Sequence, residues 1–286
     1  MMLSATIRPA DENDRLLVDD LIQFAPFYHR HLDWIGPLEW LGRQPFWIIE
    51  RNGEAQAAFG CPSDPPGIAW IRLFVSRSAD LPIDDWSVLL RAVLNQHALH
   101  PGDQIAFLGL HSWMIELAEQ SGFQNYQNIV TLEWDQMAIP EQASIPDELL
   151  IRPIRQSDIP IIAEIDALAF APLWRNSVED IKRSLPRSSY ASVVEYQGEI
   201  AGFQISTTTS VSAHLARLAV LPKFQKRSLG YALVHDLINH FLSRGFFRVT
   251  VNTQHDNLAS LALYHKLGFS PTGEEFQVFT RQIEEE

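Results

Sequence analysis

The chain repeats itself, and this repetition limits the fold more than any other feature. Ile7-Arg8-Pro9 with Asp14 returns as Ile151-Arg152-Pro153 with Asp158. Glu50-Arg51-Asn52-Gly53-Glu54 returns as Glu195-Tyr196-Gln197-Gly198-Glu199. Residues 68–75 (IAWIRLFV) return as residues 213–220 (AHLARLAV), with a shared Arg-Leu-x-Val ending, and Gly122-Phe123 returns as Gly268-Phe269. The displacements are 144, 145, 145 and 146 residues in one order along the chain, so a single supersecondary plan is used twice. Each copy opens with a short strand that leads into a helical stretch, 16–24 or 159–170. It then passes through a hairpin in which glycine supplies the positive φ. The fold class expected is α/β (α+β), in two tandem domains of residues 1–136 and 148–286. Residues 137–147 (MAIPEQASIPD), with two prolines and no hydrophobic period, read as the linker.

Composition narrows the function. A chain of 286 residues suits two domains, and 46% hydrophobic with 20% charged residues is ordinary for a globular protein. The net charge of −13 argues against nucleic acid or an anionic membrane as partner. Residues 1–144 hold 8 Arg and no Lys against 19 acidic residues, whereas the remainder is nearly neutral. The second half is therefore the better host for a polyanion. The single cysteine, Cys61, excludes an internal disulfide framework, fits a reducing cytosol and is expected to be a small, partly buried hydrophobe. No long apolar run or cleavable signal opens the chain, so a cytoplasmic location is expected.

Residues 215–242 (LARLAVLPKFQKRSLGYALVHDLINHFL) read as a buried strand, a tight loop opened by Pro222 and a helix entered near Leu229. Val234, Leu237, Ile238 and Phe241 give that helix one apolar face. A strand feeding straight into a helix leaves the first helical N–H groups unpaired, at the positive end of the helix dipole. With Lys223, Lys226 and Arg227 beside them, those groups suit a phosphate; an ordinary turn with solvated charges reads the same way. Val220-Leu221-Pro222 followed by Gln225-Lys226-Arg227-Ser228-Leu229-Gly230 resembles the acyl-CoA loop of the GNAT superfamily of N-acetyltransferases. There the loop is Gln or Arg, two residues, Gly, one residue, then Gly or Ala. Gln225 and Gly230 fit, and Ser228 stands at the first glycine, where a Cβ narrows the room for a pyrophosphate.

A second constellation follows. Residues 247–253 (FRVTVNT) alternate as a strand, and Asn257 and Gly268 are a sound N-cap and stop for a helix between them. Tyr264, seven residues after Asn257, shares its face; on structure alone it is a half-buried core residue. In GNAT proteins an Asn followed seven residues later by Tyr, and then by Gly-Phe, marks the last helix before the final hairpin. The resemblance covers about residues 149–280. It implies two GNAT-like domains, each a mixed, mostly antiparallel sheet flanked by helices. It implies acetyl-CoA as co-substrate, no metal, and an amine acceptor, small molecule or peptide. By position, Leu218, Ala219 and Val220 would pair with the pantetheine arm. Gln225, Lys226, Arg227, Ser228, Leu229, Gly230 and Tyr231 would surround the pyrophosphate, Asn257 would hold the arm, and Tyr264 would be the general acid.

The first copy lacks this equipment. Its loop, residues 76–82, has no glycine; Asp80, Asp84 and Asp85 stand near its helix start, and His111 and Ala118 replace the Asn and Tyr. It is expected to be a degenerate packing domain beside a catalytic second copy, with Trp34, Trp40, Trp47, Asp33 and Glu39 offering an acidic aromatic wall. Relatives that acetylate protein N-termini often carry Glu five residues before the Asn, where this chain has Asn252. His214, His255 and Glu195 are candidates for the base by chemistry alone, and none is selected. Residues 170–175 fall where the family's acceptor-shaping loop lies. A non-catalytic acyl-CoA sensor is the alternative, prompted by Ser228 and the missing Glu.

Overall fold

A computed structural model describes residues 5–95, 98–137, 146 and 148–284, so the expected linker lies almost wholly outside the described residues. The chain forms two compact units, residues 1–127 with 276–286, and residues 128–275. Unit 1 contains β1 (Thr6–Pro9), α1 (Arg15–Phe24), β2 (Phe27–Arg30), β3 (Phe46–Arg51) and β4 (Glu54–Gly60). It continues with β5 (Ile68–Trp70), β6 (Leu73–Ser76), α2 (Ile83–Leu94), β7 (Gln104–Leu108) and α3 (Ser112–Gln120). Five of its strands form an antiparallel sheet in the order β1-β3-β4-β6-β2, and β5 pairs in parallel with β7.

Unit 2 begins within β8 (Gln124–Trp134) and continues through β9 (Leu149–Pro153), α4 (Ile159–Ala169), α5 (Val178–Ser184), β10 (Tyr190–Tyr196) and β11 (Glu199–Thr208). Then come β12 (Ala213–Val220), α6 (Leu229–Leu242), β13 (Val249–Gln254), α7 (Leu258–Lys266) and the start of β14 (Ser270–Gln282), which passes into unit 1 after residue 275. Its strand order is β9-β10-β11-β12-β13-β8, antiparallel except for the parallel β12–β13 pair. The face of α6 read from the sequence packs on this sheet: Val234, Leu237, Ile238 and Phe241 share a core with Leu132, Trp134, Leu215, Val249 and Val251. Burying each such side chain is worth about 1.5–3 kcal/mol.

The repeat has a physical cause. Arg8 grips Asp14 at 2.6 Å and Glu50 at 2.9 Å, tying the first strand, the entry to α1 and the first hairpin together. Arg152 does the same with Asp158 at 2.7 Å and Glu195 at 2.6 Å. Both hairpins turn through two positive φ values, Asn52-Gly53 at 57° and 78° and Gln197-Gly198 at 54° and 80°.

The copies exchange their closing strands. Residues 129–134 of β8, at the end of the first sequence copy, pair with β13 in unit 2. Residues 278–282 of β14, at the end of the second copy, pair with β7 in unit 1. The units therefore part at 127/128 and 275/276, whereas the repeat in sequence divides the chain at 136 and 148. Periodicity reports the order of elements, not which sheet edge a strand joins. The final hairpin expected after α7 is replaced by this one long strand, β14.

Candidate active site

The two parallel strands of unit 2 part company. β12 pairs with β11 as far as Val220↔Gly202, but with β13 only through Ala213↔Val249, His214↔Thr250 and Leu215↔Val251. Beyond that point β13 stays with β8, so residues 216–220 present one main-chain edge without a strand partner among the described residues. Main-chain N–H and C=O groups seek partners, so such an edge can take an extended chain. A register shift opposite Ala216 locally bends β12 as it leaves β13. On the paired side the strands lie close: a Cβ at Gly202 would stand 2.6 Å from the Ala219 carbonyl oxygen.

At the end of β12 the chain turns into α6. Gln225 Nε2 donates to the Val220 carbonyl at 3.2 Å and fastens the base of the loop. Lys226 and Ser228 adopt left-handed φ values of 60° and 62°. Among the described residues, the N–H groups of Lys226, Arg227, Ser228, Leu229 and Gly230 meet no acceptor, while Ala232 N–H bonds Ser228 O at 2.9 Å. A turn of unpaired amides thus sits at the positive end of the helix dipole. Leu229 and Tyr231 are buried and anchor the turn from below. A Cβ at Gly230 would lie 3.3 Å from Leu263, so α7 packs closely there. Lys223 is drawn off to Glu199 at 2.6 Å, whereas the exposed Lys226 and Arg227 have no ion-pair partner among the described residues.

Asn257 caps α7: its Oδ1 accepts from Ser260 N at 3.1 Å, and its Nδ2 donates to Gln254 Oε1 at 3.3 Å. Tyr264 is 4% exposed and belongs to the same core as Tyr231, with Leu218 packed against it. Its hydroxyl makes no hydrogen bond among the described residues. Burial pushes the phenol's pKa up, which keeps the proton on the oxygen throughout the neutral range. The structure thus brings Leu218, Tyr231 and Tyr264 together, while Asn257 spends its side chain on its own helix.

The candidate bases all have structural partners. Glu195 is held by Arg152. His214 Nδ1 lies 2.8 Å from Thr250 Oγ1, and burial pushes its pKa down. His255 Nδ1 lies 3.3 Å from Asn128 O, and Asn252 Oδ1 accepts from Thr131 Oγ1 at 3.0 Å.

One cluster was not recognised in the sequence. Arg217 makes two 2.7 Å contacts to the fully buried Asp166, donates to Trp174 O at 2.6 Å, and stacks 3.5 Å over the Phe170 ring. Asp166 Oδ1 also accepts from Asn176 N at 2.8 Å, so residues 170–176 are bound to β12 at the start of its open edge. The signal was the shared Arg of the Arg-Leu-x-Val repeat, because Arg72 plays the same part in unit 1. Arg72 pairs with Asp33, donates to Asp64 O at 3.2 Å, and lies 4.2 Å over Trp40. Trp40 is buried and the Asp33 carboxylate is taken up by Arg72, which corrects the expectation that these two form part of an acidic aromatic wall. Where α2 begins, Asp84 and Asp85 fill the first turn and Asp85 accepts from Ser76 Oγ at 2.6 Å. His111 stacks on Trp113, and Ala118 is buried.

Compared with known proteins, the chain falls among the acetyltransferases: residues 159–269 match the Acetyltransferase (GNAT) family. It is 30% identical over 121 residues to the ribosomal protein bS18-alanine N-acetyltransferase of Escherichia coli strain K12, which spans 42% of this chain and 80% of the relative. The chain belongs to the GNAT acetyltransferase family. Its fold extends across similar solved structures. A GCN5-related N-acetyltransferase from Sphaerobacter thermophilus aligns over 98% of this chain and 96% of that one, with a TM-score of 0.63 and 15% identity. A tandem GNAT protein from the clavulanic acid biosynthesis pathway aligns over 99% and 100%, with a TM-score of 0.63 and 13% identity. Enzymes of this family use acetyl-CoA as co-substrate and an amine as acceptor. Among the described residues, no helix is long and apolar enough to cross a membrane.

Proposed function

We propose that the protein transfers the acetyl group of acetyl-CoA to a primary amine, in unit 2, at the wedge between β12 and β13. One observation carries this reading: a strand edge at residues 216–220 leads into a turn, and among the described residues neither that edge nor the amides at 226–230 have a main-chain partner. An extended pantetheine arm fits the edge of Leu218, Ala219 and Val220, and a diphosphate fits the turn. Lys226 and Arg227 add charge, Gln225 holds the turn in shape, and Asn257 exchanges its 3.3 Å contact to Gln254 for the arm. Unit 1 then has a packing role.

Acetyl-CoA supplies an acyl carbon already activated as a thioester. The wedge holds it beside the amine and turns a two-body encounter into a local one. A main-chain N–H of the β12 edge polarises the carbonyl oxygen. Tyr264 Oη keeps a proton ready for the departing sulfur, and burial ensures that the proton is there. The amine gives up its own proton to water, since Glu195, His214 and Asn252 are each engaged elsewhere. The E. coli relative points to a peptide amine as one acceptor class; small amines are the other.

The test is release of free thiol from acetyl-CoA across a panel of peptide and small amines. Tyr264→Phe is expected to lower turnover by about 10²-fold or more while the acetyl-CoA dissociation constant stays unchanged. A wild-type protein that binds acetyl-CoA tightly yet releases no thiol with any amine contradicts the enzyme reading and leaves a coenzyme-binding sensor.

A further inference from the structure

The first unit repeats the wedge, and there it is full. Leu73, Phe74 and Val75 are the counterparts, 145 residues earlier, of Leu218, Ala219 and Val220. The strand layout matches: Ile68–Trp70 pairs in parallel with β7, as residues 213–215 do with β13, and the chain then diverges. One edge of β6 pairs with β4, as β12 pairs with β11. The other edge, bare in unit 2, carries β2 along its whole length: Phe27↔Ser76, Tyr28↔Val75, His29↔Phe74 and Arg30↔Leu73.

The side chains of this segment fill the gap between the diverging strands. His29 is fully buried and meets Phe107 of β7 edge-on at 5.9 Å. Phe27 meets Trp113 of α3 at 5.3 Å, and His31 packs 4.5 Å from Trp70 of β5. The corresponding segment of unit 2 runs as a turn instead, bound by Arg217 and Asp166 to the start of the open edge.

We propose that residues 27–30 are a built-in occupant of the first copy's coenzyme groove, so that the chain takes up one acetyl-CoA and takes it up in unit 2. The inference rests on the reading of unit 2 given above. An incoming pantetheine arm would have to strip β2 from β6 and expose the buried His29. It would then meet Asp84 and Asp85 where a diphosphate needs amides. β2 replaces the ligand in its strand-pairing role, and unit 1 is complete without one.

Hydrogen–deuterium exchange on the full chain, with and without acetyl-CoA, tests this beside calorimetric stoichiometry. Amides of 27–30 and 73–76 are expected to be protected in the free protein and unchanged by acetyl-CoA. Those of 216–220 are expected to slow by about tenfold or more on binding, with one coenzyme per chain. Protection at 73–76 that rises with acetyl-CoA, or a stoichiometry of two, overturns the proposal; so does fast exchange at 27–30 in the free protein. Silence at 216–220 with no binding heat contradicts the function proposed for unit 2, while protection of 27–30 still reports on the occupant. His29→Pro, which removes the N–H that faces Phe74 across the ladder, is expected to speed exchange at Phe74 and Ser76 by at least tenfold and leave acetyl-CoA affinity unchanged. Unaltered protection in that variant also counts against the proposal.

Discussion

Ser228 keeps a Cβ at a φ of 62°, where glycine is at ease. The left-handed region costs a residue with a Cβ about 1–2 kcal/mol, and glycine brings about 0.5–1 kcal/mol of extra unfolded-state entropy. Ser228→Gly is therefore expected to stabilise the protein by about 0.5–1 kcal/mol, seen as a higher urea midpoint, with acetyl-CoA bound no less tightly. A lower midpoint would mean that the serine hydroxyl contributes something the backbone argument omits. His29 makes the opposite kind of statement. Neither of its ring nitrogens has a partner among the described residues, and burial, helped by His111, lowers its pKa to about 3 against an ordinary 6.5. The Ile71 backbone opposes the shift without reaching a full hydrogen bond. Below an ordinary histidine pKa the unfolded chain binds a proton that the fold refuses, so stability is greatest above pH 6.5 and falls as pH drops toward 3. His31, held down by burial, Arg72 and His29, acts with the same sign. Urea midpoints should decline from pH 7 to pH 5, and His29→Leu should flatten part of that slope; a slope unaltered in the variant speaks against this origin.

Among the elements, β12 does most to shape the site. Its edge is free because β13 leaves it at Leu215, and its position is fixed from the other side by Arg217. The Arg217–Asp166 pair is buried, whereas Lys223–Glu199 lies at the surface, and the two should respond very differently to loss of the cation. Arg217→Met strands a fully buried carboxylate and is expected to destabilise by about 3–5 kcal/mol. Lys223→Met is expected to shift stability by about 1 kcal/mol or less. Thermal melts of the two variants decide this; equal shifts would mean that Asp166 finds another partner or takes up a proton.

At the scale of the molecule, the sequence made the duplication legible because its repeated pattern has a mechanical basis within each copy. Arg8 and Arg152 each bind one Asp and one Glu, so the same letters recur at the same interval. The loop-helix was legible as well: Pro222, Gly230 and the apolar face of α6 are local signals, and the helix begins at Leu229 as its pattern implied. Two features were hidden. β2 spans only four residues, FYHR, too short for alternation to distinguish a strand from a loop. The exchange of β8 and β14 depends on which edge each strand finds, and no local pattern of residues records that. The role of Arg217 is half visible in the sequence: it recurs as Arg72, but its partner Asp166 lies 51 residues away.

The central claim is that the amides at the mouth of α6 hold the diphosphate of acetyl-CoA. Backbone amide NMR of the full chain, titrated with acetyl-CoA, addresses it directly. The account predicts that the N–H signals of Lys226 through Gly230 move most, together with those of residues 218–220, while Leu73 through Ser76 stay in place. Saturable binding that leaves the signals of Lys226 through Gly230 unmoved would contradict it.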